Sequence, residues 1–192
     1  MTIKLETPFK REDLKDLKPG DNVYISGYLY TARDAAHGRL VDLIDRGDKL
    51  PLDLEGACIF YVGPTPAKEG QALGSAGPTT SYRMDSYTPA LLDNGLMGMI
   101  GKGFREEKVV EKIKEKGAVY FAAIGGAGAL NAKTIKSAEI IAYEDLGAEA
   151  IRKIFVEDFP ATVIIDSKGD NLYELGRAEY LKWKEENKRN CF

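Results

Sequence analysis

Histidine is nearly absent from this chain. Its 192 residues contain one, His37, and only two cysteines, Cys58 and Cys191. So small a stock of imidazole and thiolate ligands excludes a closed zinc site and an iron–sulfur cluster held by this chain alone, since each needs several such side chains. Two thiols so far apart in sequence read as free thiols of an intracellular protein. Cys58 lies in the apolar run Ala57-Cys58-Ile59-Phe60-Tyr61-Val62 and reads as a small core residue. A basic excess is also missing. Lysine and arginine number 27 against 30 aspartate and glutamate, a net charge of −3, which argues against a nucleic-acid surface. No long hydrophobic run is present: the longest weakly polar stretch, Ala118 to Leu130, is too short to span a bilayer and contains three glycines. The first residues, Met1-Thr2-Ile3-Lys4-Leu5-Glu6, lack a basic-then-apolar signal pattern, so the expected location is the cytoplasm. What is there is ordinary globular composition, 44% apolar and 30% charged, in a length that fits a single domain over residues 1–192.

The first half of the chain reads mostly as strand. Asn22 to Thr31 is rich in β-branched and aromatic residues and follows the turn Lys18-Pro19-Gly20-Asp21. Asp34 is placed to cap a helix carrying Leu40, Leu43 and Ile44 on one face. Ala57 to Val62 is a short buried strand, and Gln71 to Ala76 is expected to be another. The second half alternates helix and strand. A helix begins near Asp85 or Thr88, with Pro89 in its first turn and Gly95 closing it. Leu96 to Ile100 is a strand, Arg105 to Lys116 a helix stopped by Gly117, and Val119 to Ile124 a strand. Gly125-Gly126-Ala127-Gly128 leads into a further helix, Ala138 to Tyr143 is a strand, and Asn171 to Asn190 is a charged terminal helix. Ile151 to Val156 and Thr162 to Asp166 read as a hairpin-like pair. This order predicts a mixed α/β fold with layered sheets rather than one doubly wound sheet.

The chemistry concentrates in Gly77-Pro78-Thr79-Thr80-Ser81-Tyr82-Arg83-Met84-Asp85 and in Gly98-Met99-Ile100-Gly101-Lys102-Gly103. Three hydroxyls, backbone N–H groups and two fixed cations suit a small anion such as a carboxylate or phosphate. Lys102 is not a Walker lysine, because Leu96 and Gly103 stand where that motif needs glycine and a hydroxyl residue. It is either a solvated lysine in a glycine turn or a site cation at the end of a buried strand. Gly125 to Gly128 fails the dinucleotide pattern, since Asn131 holds its last place, and reads as a tight turn. Arg33 and His37 stand four apart, on one face of any helix that starts there. A threonine such as Thr79 is a poor base unless neighbouring cations help, and Arg33, Arg83 and Lys102 could supply that field.

Four strings taken together resemble the β region of class I, iron–sulfur fumarate hydratases: Gly77-Pro-Thr-Thr-Ser-x-Arg-Met-Asp85, Gly98-Met-Ile-Gly-Lys-Gly103, Ala32-Arg-Asp-Ala-Ala-His37 and Tyr143-Glu-Asp-Leu-Gly147. Val156-Glu-Asp-Phe-Pro-Ala161 continues the likeness, which covers essentially the whole chain in order. The β subunit of L-tartrate dehydratase is similar in architecture; Ala32, Ala36 and Asp85 favour the fumarase side. Tyr82 stands where many members have glycine or another small residue.

The resemblance implies a swivelling β/β/α domain. It also implies a partner, a fumarase α subunit whose cysteines hold a [4Fe–4S] cluster, in an α2β2-type hetero-oligomer acting on a dicarboxylate, with neither nucleic acid nor membrane involved. Carried over by motif, Thr79 would take the C3 proton of malate. Arg33, Arg83 and Lys102 would bind the substrate carboxylates and stabilise the aci-carboxylate that forms. The alternatives are another dicarboxylate hydro-lyase, L-tartrate dehydratase first, and a stand-alone carboxylate-binding module.

Overall fold

The computed structural model describes residues 3–187. Cys191 and the end of the expected terminal helix lie outside the described residues. Strand β2 (Asn22–Thr31) forms where expected, because Val23, Ile25, Leu29 and Thr31 alternate inward against a polar opposite face. It pairs in parallel with β1 (Ile3–Glu6) and with β3 (Cys58–Phe60). Parallel pairing continues from β3 to β4 (Gly98–Gly101) and from β4 to β5 (Val119–Ala122). Strand β7 (Ile151–Ile165) then runs antiparallel to β5 on one side and to β2 on the other, while β6 (Ile135–Ala142) flanks it. The sheet order β1-β2-β3-β4-β5-β7-β6 together with the β2–β7 pairing therefore closes β2, β3, β4, β5 and β7 into a five-stranded ring. The mixed α/β class expected from the order of elements is what the structure shows, built as a small mixed barrel with helices around it.

Alternate strand residues feed two cores. Cys58, Phe60, Ile100, Val119 and Phe121 join Val23, Ile25, Leu29 and Phe159 in one cluster. Ile59, Tyr61, Met99 and Tyr120 join the other, with Leu40 of helix α2 (Asp34–Arg46), Leu91 and Leu92 of α3 (Thr88–Asp93), and Val109 and Ile113 of α4 (Glu107–Lys116). The central strands are thus buried on both faces, which is why they read as unbroken apolar runs. Helix α1 is the short Arg11–Leu14, α5 is Gly128–Thr134 and α6 is Leu172–Glu186, with Asn171 as a side-chain N-cap.

Three expectations are corrected. The pair Ile151–Val156 and Thr162–Asp166 is no hairpin. It is one strand with an irregularity at Asp158, whose backbone sits at φ 49°. Three residues of β2, Ile25 to Gly27, face four of β7, Val156 to Phe159, so the inward parity of β7 shifts there. Gly27, at φ +108°, lets Thr7 approach: a Cβ would lie 2.9 Å from the Thr7 carbonyl oxygen. Gln71 to Ala76 is an irregular loop, not a strand, and its Ser75 O accepts the N–H of the earlier Thr65 at 3.1 Å. Asp34 is the first residue of α2 rather than its cap; the cap position belongs to Arg33.

Candidate functional site

The parallel strands β2, β3, β4 and β5 point the same way, so their C-terminal ends gather at one end of the barrel. Each of the four expected site residues follows one of these ends or is tied to it. Arg33 follows β2, and Lys102 follows β4. Thr79 is pinned to the residue after β3, donating its N–H to Tyr61 O at 2.8 Å, and Val62 bridges Pro78. Gly63 then gives Arg33 room: a Cβ there would meet Arg33 Nη1 at 3.1 Å. Thr80 forms a parallel bridge with Lys102. Arg83 lies on the 3-10 turn Ser81–Met84 that continues from Thr80.

The two arginines meet through an acid. Asp34 Oδ2 accepts from Arg83 Nη2 at 2.7 Å, and its other oxygen lies 3.6 Å from Arg33 Nη2. Glu149 adds a second counterion to Arg33 at 3.2 Å. Arg33 Nε, Asp34 Oδ1 and Glu149 Oε2 are buried and make no hydrogen bond among the described residues, so this cluster keeps unused polar capacity. Within the cluster two guanidinium groups, Arg33 and Arg83, meet two carboxylates, Asp34 and Glu149, while Lys102 joins the same end of the barrel through its backbone bridge to Thr80. Thr79 is half-buried and Lys102 exposed.

His37 anchors Arg33. Both its backbone N–H and its ring Nδ1 lie 2.8 Å from Arg33 O. A carbonyl oxygen only accepts, so Nδ1 carries the proton and Nε2 is a bare acceptor, buried without a partner among the described residues. Burial holds the imidazole neutral, pulling its pKa from the usual 6.5 to about 4. His37 is therefore a structural group fixing the backbone of a site residue, not an exposed acid or base.

Beneath the turn lies a pair that the sequence did not announce. Arg105, whose side chain is fully buried, donates from Nε to Asp85 Oδ1 at 2.6 Å and from Nη2 to Thr88 Oγ1 at 2.8 Å. The other Asp85 oxygen takes the Glu106 N–H at 2.6 Å. The guanidinium lies over the rings of Tyr61 and Tyr120, at 5.4 and 5.0 Å from their centroids. Asp85 ended the Gly-Pro-Thr-Thr-Ser string, but Arg105 looked like the start of a surface helix. A lone arginine after Gly-Phe carries no local sign that it turns inward. Asp34, the adjacent acid, was open to pairing with Arg33 from the sequence, whereas Glu149 was missed as a counterion, since it reaches Arg33 from far along the chain. Gly125 to Gly128 is a packing turn, as expected: Ala76 N–H donates to Gly128 O at 2.9 Å, and a Cβ on Gly128 would lie 2.9 Å from Gly77 N.

Among the described residues, no group of three or more His, Cys, Asp or Glu side chains is placed to hold a metal ion. Cys58 is fully buried, and burial pushes its thiol well above the usual range. The residues described here therefore do not fit an iron–sulfur cluster.

A family profile described as "Fumarase C-terminus" matches residues 1–176. The chain belongs to the fumarase C-terminal family. Fumarate hydratase 2 of Leishmania major is 40% identical to it over 165 residues, covering 85% of this chain and 29% of that protein. The aerobic class I fumarate hydratase of Escherichia coli K12 is 39% identical over 176 residues, covering 90% of this chain and 32% of that protein. A protein described as a candidate L(+)-tartrate dehydratase subunit beta, from Methanocaldococcus jannaschii, is 35% identical over 182 residues and is matched over 93% of its length. This fumarase C-terminal chain thus spans about a third of the length of the two fumarate hydratases and nearly all of the subunit.

Proposed function

We propose that this chain is the β subunit of a class I fumarate hydratase, catalysing the reversible hydration of fumarate to (S)-malate in the cytoplasm together with an α subunit. The observation that supports the reading is that the backbone positions of Arg33, Thr79, Arg83 and Lys102 all follow, or are tied to, the ends where the parallel strands finish. A dicarboxylate needs two cationic contacts held apart. Arg83 retains an open edge, since only its Nη2 is engaged among the described residues and 43% of the side chain is exposed. In this reading Arg33, Arg83 and Lys102 bind the carboxylates and stabilise the charge that develops as the C3 proton leaves to Thr79 Oγ1. The positive field would lower the cost of an alkoxide-like threonine oxygen.

The [4Fe–4S] cluster that the family implies is assigned to the α subunit, because this chain's described residues do not fit it. An α2β2-type assembly in which this domain swivels against that subunit fits a site open on one side. The four most exposed large apolar side chains among the described residues are Tyr82, Phe104, Ile124 and Leu130, at 62, 69, 73 and 61%. Each follows one of the segments that carry or border the site. So much apolar surface beside cations supports a partner closing over them.

L-tartrate dehydratase is the second reading, favoured by the 93% coverage of the Methanocaldococcus subunit. Anaerobic coexpression with an α subunit, followed by a panel of fumarate, malate and L-tartrate, tests both. Turnover of fumarate and malate supports the first reading, and turnover of tartrate alone supports the second. A purified complex that binds dicarboxylates without turning over any of them would make the chain a binding module.

A further inference from the structure

Of the three adjacent hydroxyls, Ser81 is unlike the other two. It is fully buried, whereas Thr79 and Thr80 are half-buried. Its proton and one of its lone pairs are both engaged. Tyr120 OH lies 3.0 Å from Gly103 O, and a carbonyl can only accept, so the phenol donates there. The Ser81 hydroxyl, 2.8 Å from the same phenol, must therefore donate to it. Its oxygen in turn accepts the Lys102 N–H at 3.1 Å. The Ser81 backbone N–H donates to Lys102 O at 2.9 Å. Ser81 thus grips both polar groups of the Lys102 backbone, and Tyr120 extends the grip to Gly103. The contact leaves no room for a larger neighbour: a Cβ on Gly101 would collide with Ser81 Oγ and would sit 2.9 Å from Tyr61 Cδ2. Fully buried and committed in this way, the Ser81 hydroxyl serves the protein backbone, unlike the more exposed Thr79 and Thr80.

We infer that Ser81 and Tyr120 are positioning residues, a hydrogen-bonded clamp that sets the Lys102 turn against the Thr79–Thr80 segment. The inference rests on the hydro-lyase reading of the site for its catalytic meaning. The ammonium of Lys102 rides on an exposed, glycine-flanked turn. Without the clamp, its distance from Thr79 would depend on the backbone bridge alone. Charge stabilisation of a transition state falls away when a cation is misplaced by about an ångström.

Two measurements test this. On the isolated chain, amide hydrogen exchange at Lys102 N–H should be roughly five- to tenfold faster in Ser81→Ala than in the parent, with core amides of β4 and α4 unchanged. Tyr120→Phe, which keeps the ring and removes the phenol oxygen, should give the same direction of change. It carries the test if Ser81→Ala does not fold. In the complex with the α subunit, both variants should lower kcat more than they change KM, and the double variant should be no worse than Ser81→Ala. Normal exchange at Lys102, or kcat losses that multiply in the double variant, would overturn the clamp. A parent complex that turns over no dicarboxylate would instead bring down the hydro-lyase reading, while the exchange rates would still decide whether the clamp exists.

Discussion

Arg83 makes one ion pair among the described residues, to Asp34, with 43% of its side chain exposed. A pair this open to water contributes about 1 kcal/mol or less to stability, so Arg83→Ala should leave the fold nearly as stable as before. Its effect on the complex should be far larger. Losing a charge-assisted contact to a substrate carboxylate costs about 2–4 kcal/mol, roughly 30- to 1000-fold in kcat/KM. Arg33→Lys keeps the charge but loses the planar fork shared by Asp34 and Glu149, and should be milder. Urea titration beside steady-state kinetics checks both halves. Near-normal kcat/KM in Arg83→Ala would reduce that arginine to a strut for Asp34. The four proposed site residues could be picked out in the sequence because they stand in short strings of unusual composition. Their supports could not. Glu149, Arg105 and Tyr120 lie in ordinary-looking segments, and only the fold brings them to Arg33, Asp85 and Ser81.

At the scale of the element, the start of α2 depends on a buried neutral histidine. His37 titrates near 6.5 when unfolded and at about 4 when folded. Between those values the unfolded chain binds the extra proton, so stability rises with pH across this window. It is fully present above the unfolded value and is lost as pH falls toward the folded one. From about pH 7.5 to about pH 5 the loss from this group should be about 2 kcal/mol. His37→Gln, less stable at neutral pH, should show a correspondingly flatter profile in urea titrations at the two pH values. Equal slopes for both proteins would mean that the imidazole is hydrated in the folded chain. Elements with a clear period, such as β2 and α4, were readable because one face of each is buried. β7 was not, because Asp158 shifts its inward parity and breaks the alternation midway. Gln71 to Ala76 looked like a strand from apolar content alone, yet among the described residues no strand edge takes it up.

The whole molecule is organised by a closure that no local pattern contains. β2 and β7 pair along most of their length across more than a hundred intervening residues, and that pairing turns an open mixed sheet into a barrel. The alternation of helix and strand could give the mixed class, but not the ring. The barrel in turn brings the segments that carry Arg33, Arg83 and Lys102 to one end without providing a set of cluster ligands among the described residues. Anaerobic iron–sulfur reconstitution of the isolated chain should therefore leave it colourless. A stoichiometric [4Fe–4S] spectrum from this chain alone would contradict the two-subunit reading.

The central claim is that this chain supplies the proton-accepting hydroxyl of a hydro-lyase site, and that the hydroxyl belongs to Thr79. The most direct measurement is exchange of the malate C3 hydrogen with solvent, catalysed by complexes carrying Thr79→Val or Thr80→Val. Valine keeps the branched shape and removes the oxygen. Thr80 stands at the cap position of the 3-10 turn but makes no side-chain cap hydrogen bond, so its loss should be mild. The account predicts that Thr79→Val abolishes exchange and lowers kcat with KM little changed, while Thr80→Val exchanges at close to the parent rate. Normal exchange in Thr79→Val, or equal damage at both positions, would contradict it and move the base to the α subunit.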